Sequence, residues 1–175
     1  MRKLFLSLLA LLLFPVAGYA LDVNNPIGIP FLTGVTDASS AAAGKLGEYT
    51  SNTLGGSQTP PATGAYVALA TMTLTAGDWD IYATGSLSAG GTTVATDLGF
   101  AISTSNTSRD ATNVNNRCAF GFTLVVSVDS ACSMGPRRVT ISSSTTYYLV
   151  GQLTYSTLGG ATFTTDSTIM ARRVR

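Results

Sequence analysis

The chain has 175 residues, only 11% of them charged, with ten Lys+Arg against nine Asp+Glu and no histidine. Without histidine there is no Ser-His-Asp triad, no imidazole metal ligand and no imidazole pH switch. A formal charge of +1 with no clustered basic face excludes the electrostatic footprint of a nucleic-acid binder.

The chain opens MRKLFLSLLALLLFPVAGYA, with Arg2 and Lys3 ahead of an apolar run over 4–16 and small residues at Gly18 and Ala20. A bilayer span needs about 20 apolar residues, so residues 1–20 are expected to be a signal peptide cut after Ala20. An uncleaved anchor is the alternative. Cleavage leaves 155 residues, one comfortable domain, and removal of Arg2 and Lys3 turns the charge to −1. The protein would then be exported, to the periplasm or outside the cell, with no membrane span remaining. Residues 21–46 have two prolines, several glycines and no sustained period, and are expected to form an extended N-terminal arm. Within it DASSAAAGK could make one helical turn capped by Asp37.

From Glu48 onward the apolar period is two, which places the domain at 47–175. Val67 and Leu69 share one parity and Met72 and Leu74 the other, the mark near Ala70-Thr71 of a β-bulge or of a strand buried on both faces. After Ala76-Gly77, the residues Trp79, Ile81, Ala83, Gly85 and Leu87 face one side. Gly90-Gly91 then signals a hairpin into Val94–Ile102. A polar loop over 103–117 precedes an alternating run from Phe120 to Val128, and residues 129–136 look like another loop. A short strand follows at Val139–Ile141 and a longer one at Tyr147–Tyr155, and Ala161–Val174 closes the chain. This is an all-β pattern: a single antiparallel β-sandwich, jelly-roll-like, of about eight strands, with an immunoglobulin-like sandwich as the second choice.

Little in the chain has the spacing of chemistry. Asp78 and Asp80 flank Trp79 and share a strand face at roughly 7 Å, within the range of about 5–9.5 Å used by glycosidase carboxylates. Any D-x-D at a strand start gives that spacing, and Asp after a Gly turn is favoured for its side-chain bonds to nearby N–H groups. The pair is therefore expected to be turn chemistry facing water. Trp79, on the opposite face, is expected to anchor the core, with a sugar-stacking platform as the alternative. Arg109, Asn113, Asn115, Asn116 and Arg117 in the long loop, with Arg137 in the next, are the candidate binding residues, because recognition usually sits on loops held by a rigid scaffold. Asn106-Thr107-Ser108 is a glycosylation sequon, meaningful in a eukaryotic secretory pathway.

Cys118 and Cys132 are the two cysteines, without histidine or a C-x-x-C, so no metal site is expected and no cofactor is implied. A straight strand over 119–128 would carry the chain roughly 30 Å away, and four residues can return it by only about 14 Å. Either that strand breaks, as at Gly121, and a disulfide forms, or the thiols do not pair within one chain. At the C-terminus, Arg172 and Arg173 cannot both lie on one face of a strand. Either the strand has ended and Arg172, Arg173 and Arg175 are all solvated, or this edge meets a neighbouring subunit or acidic partner.

Taken together, LTAGDWDIYATGSLSAGGTT, GFAISTSNTS, TTYYLVGQLTYST and ARRVR, with GVTDASSAAAGKLGEYTSNT ahead of them, resemble a group of small phage and prophage proteins regarded as virion-associated or tail-fibre-like. The resemblance covers most of residues 34–175. It implies a non-enzymatic β-sandwich module, self-associating as a trimer, that builds part of a particle or binds a host-surface glycan or protein. It brings no catalytic residues. An exported carbohydrate-binding module or adhesin is the alternative.

Overall fold

A computed structural model describes residues 41–111, 117–121, 124–125 and 128–174. The signal segment and residues 21–40 of the arm, Asp37 among them, lie outside the described residues. Residues 42–48 make two consecutive turns, Lys45 N–H bonding Ala42 O and Glu48 N–H bonding Lys45 O, each at 3.0 Å.

Among the described residues ten strands form two antiparallel sheets, and no helix occurs. They are β1 (Tyr49–Thr53), β2 (Tyr66–Leu74), β3 (Gly77–Ser88), β4 (Val94–Ser103), β5 (Arg117–Phe120), β6 (Leu124–Val125), β7 (Ser130–Ile141), β8 (Thr145–Thr157), β9 (Thr162–Phe163) and β10 (Thr168–Arg173). Sheet I runs β1-β10-β3-β7 and sheet II runs β2-β8-β4-β5, with β9 on β3 and β6 on β4. The two-residue strand β6 continues β5 along β4, and β9 continues the β10 side of β3. Counting each as one interrupted strand leaves eight, ordered 1-8-3-6 and 2-7-4-5. That is the jelly-roll order, in which the chain changes sheet at almost every connection.

The expected period of two produces this sandwich directly. Alternate residues of β3, β4, β8 and β10 bury Trp79, Ile81, Leu98, Phe100, Leu149, Leu153 and Ile169 between the sheets. Phe100 meets Phe163 edge-on at 5.8 Å between ring centres, and a side chain at Gly85 would run into the Phe100 ring. Each such buried side chain contributes about 1.5–3 kcal/mol. The parity change in β2 is a register shift between Ala68 and Ala70 against β8, as expected of a bulge.

Three local expectations are corrected. Gly90-Gly91 makes no hairpin, because β3 and β4 lie in different sheets. The glycine serves a crossing of turns: a Cβ at Gly90 would fall 1.9 Å from Gly159 O, and Thr93 Oγ1 donates to Leu158 O at 2.8 Å. Residues 130–136 are strand, not loop, since β7 runs unbroken from Ser130 to Ile141. Gly135-Pro136 falls opposite the register shift between Ile81 and Ala83, and an edge strand tolerates proline at a bulge. The alternating run after Phe120 is not one straight strand: β5 ends at Phe120 and Gly121 lies outside any strand.

Candidate functional site

Asp80 lies on the outer face of sheet I, away from Trp79, as the alternation requires. Its carboxylate is held by Arg138, its register partner on β7: Nε donates to Oδ1, and Nη2 to Oδ2 at 3.1 Å. The Asp80 carboxylate beside it, with a further contribution from Asp78, raises the ionisation of Arg138 above its ordinary value. A carboxylate bound in both oxygens by a guanidinium is poorly placed for proton transfer. Among the described residues no three His, Cys, Asp or Glu side chains group as metal ligands.

Trp79 is 1% exposed, which removes it as a sugar-stacking platform, and its indole N–H donates to Thr75 O at 2.9 Å. Above the ring sits Arg173, 4% exposed, its guanidinium carbon 4.3 Å from the ring centre. Because β10 extends through Arg173, the alternation that solvates Arg172 turns Arg173 inward, so the expectation that all the C-terminal arginines are solvated fails there. Its Nε bonds Glu48 Oε2 at 2.9 Å, while Nη1 and Nη2 bond Ala76 O and Thr75 Oγ1, each at 2.6 Å. Glu48 also accepts from Gly44 N–H at 2.7 Å. One buried cation thus ties the start of β1, the β2–β3 turn and the end of β10 to the indole. Arg175 lies outside the described residues.

A second inward arginine anchors the long loop. Arg137 on β7 is buried, donates to Ile102 O at 2.8 Å, and pairs with Asp110 Oδ2 at 2.7 Å. It lies 5.4 Å from the centre of the Tyr147 ring. Burial acts to raise the Tyr147 phenol, the Arg137 charge opposes it, and the net shift is upward. Asp110 also accepts from Ser103 Oγ at 2.9 Å and Thr104 N–H at 3.0 Å. Burial acts to raise the Asp110 carboxyl, but the hydrogen bonds from Thr104, Arg137 and Ser103 and the Arg137 charge outweigh it, and its pKa is lowered. The folded value lies below the unfolded one, so this tether stabilises fully above about pH 3.9 and is lost as pH falls towards the folded value. An Asp110→Asn variant lacks it throughout. The melting-temperature gap between parent and D110N should be widest above about pH 4 and narrow on acidification; a gap that stays constant down to pH 2 contradicts the assignment.

The other loop candidates separate. Arg109 is exposed beside Asp110. Arg117 begins β5 opposite Ala101, with its Nε buried and without a hydrogen-bond partner. Asn113, Asn115 and Asn116 lie outside the described residues. Asn106, of the sequon, is exposed at the rim of an open groove of about 310 Å3 between β1 and β2, whose wall includes Leu69 and Tyr148.

Cys118 and Cys132 form a disulfide with Cα atoms 6.3 Å apart. β5 ends at Phe120 and Gly121 lies outside any strand, so the straight strand that would hold the two cysteines apart does not form. The bond joins β5 of sheet II to β7 of sheet I.

No protein family and no curated protein matches the chain. Two solved structures similar to it are virus proteins. One is a chain of the T13 viral particle of infectious bursal disease virus: 11% identity, TM-score 0.46, over 83% of this chain and 36% of that one. The other is from infectious bursal disease virus strain Gx: 12% identity, TM-score 0.39, over 84% of this chain and 42% of that one. This chain therefore spans less than half the length of either. The likeness is faint and says nothing specific to phage.

Proposed function

We propose that this protein is a non-enzymatic structural or receptor-binding module of the virion or tail type, exported and working by self-association and surface contact. The observation that carries it is that Glu48, Asp80 and Asp110 are each bound to an arginine, in roles that stiffen the sandwich. Asp80 in particular is withdrawn from any acid–base partnership with Asp78. The disulfide fits an oxidising compartment, and the rigid two-sheet frame suits a protein that presents faces and loops. A trimer is the favoured assembly, and a host-surface glycan or protein the partner.

Light scattering on the protein at micromolar concentration tests the assembly. A mass of three chains is expected, and a clean monomer overturns the self-association. The alternative of a carbohydrate-binding module or adhesin draws its support from Tyr49 and Tyr82, which stand exposed on sheet I, and no longer from Trp79.

A further inference from the structure

The outer face of sheet I carries an ordered pattern of side chains across β7, β3, β10 and β1. One row is Arg138, Asp80, Arg172 and Tyr49; the next sets Tyr82 beside Met170 and Ser51; the third is Ser133, Thr84, Thr168 and Thr53. The third row is a line of hydroxyls, with Thr84 and Ser133 in contact at 3.2 Å and Thr53 and Thr168 at 3.2 Å. Tyr82, at the centre, is 38% exposed, and Tyr49 is 49% exposed. Gly135 on the neighbouring strand β7 leaves Tyr82 its room, since a Cβ there would lie 3.0 Å from Tyr82 Cα and 3.1 Å from its Cδ1.

The charges on this face are unequally matched. Arg138 occupies both oxygens of Asp80. Arg172, next in the row, is exposed and makes none of the ion pairs among the described residues. It lies diagonally across from Tyr82, a separation of about 7–8 Å. The platform therefore offers an exposed aromatic side chain, a guanidinium outside the ion pairs of the described residues, and a row of hydroxyls within the span of a sugar ring or two.

We propose that this face binds an oligosaccharide bearing a carboxylate, a proposal that rests on the receptor-binding reading above. A pyranose C–H face stacks on Tyr82, its carboxylate takes the Arg172 fork, and ring hydroxyls exchange hydrogen bonds with Thr168 and Thr84. Size favours a sugar over a protein. Three rows on four strands cover roughly 400 Å2, half of the about 800 Å2 per partner that a stable protein pair needs.

The test is calorimetric titration of the full chain with sialyllactose and with a galacturonate trimer, lactose serving as the neutral control. At least one acidic sugar should bind, and lactose should bind at least about tenfold more weakly. Arg172→Gln should remove that preference, Tyr82→Ala should abolish binding, and Tyr82→Phe should retain it. Added salt should weaken the acidic sugar selectively. No binding of either acid at millimolar concentration, equal binding of lactose, or indifference to R172Q and Y82A overturns the proposal. A changed light-scattering mass in Y82A also overturns it, because the face would then join copies of the chain. An oligomer that binds no acidic sugar leaves the structural reading standing, whereas a monomer that binds one sinks only self-association.

Discussion

Replacing Arg173 by alanine should destabilise the protein by about 3–5 kcal/mol, the usual cost of breaking a buried charge pair from one side. The magnitude follows from what the guanidinium holds. It neutralises Glu48, supplies donors to Ala76 O and Thr75 Oγ1, and covers Trp79. Removal leaves a carboxylate short of its cation and opens the end of the sandwich above the largest core side chain. At this chain length the melting temperature should fall by about 8–15 °C. Trp79 is the sole tryptophan, so its emission should shift to the red as water reaches the ring. Arg172→Ala, one residue away on the solvated face, should change stability by less than about 0.5 kcal/mol. If R173A melts within a degree of the parent with unchanged emission, the buried cluster is not the anchor described.

The contrast between these neighbouring arginines shows how far local pattern reaches. Alternation places Trp79 inside, Asp80 outside, and Arg172 and Arg173 on opposite faces. It cannot reveal that Arg173 finds Glu48, 125 positions earlier, because that contact exists only once β1 pairs with β10. The same holds for Arg137 and Asp110, whose meeting depends on which sheet each strand joins. Gly90-Gly91 misleads for a related reason: two glycines permit a tight turn but do not say whether the next strand pairs with the last or crosses to the other sheet. In a jelly roll nearly every connection crosses, so local hairpin signals lose their usual meaning. β7 is obscured by Gly135-Pro136, ordinary turn residues that here occupy an edge-strand bulge. The rows of the proposed platform need the register of four strands at once, and only isolated members such as Tyr82 are visible along the chain.

The double variant Cys118→Ser, Cys132→Ser should lose about 3 kcal/mol, the loop-closure contribution expected for a bridge of this span. The two cysteines are 14 residues apart, and the strands β5 and β6 at this edge are short, of four residues and two. Without the bond, the ladder contacts of β5 with β4 and of β7 with β3 must hold this edge by themselves. The unfolded chain also gains the freedom that the crosslink denied it. A reducing agent should lower the parent's melting temperature to that of the double variant and leave the variant unchanged. The loss should differ in character from that of R173A. The indole lies six residues along β3 from Gly85, the register partner of Cys132, and is covered by Arg173, so Trp79 emission below the transition should match that of the parent. Should reduction leave the melting temperature where it was, the bond adds nothing to the stability of the fold.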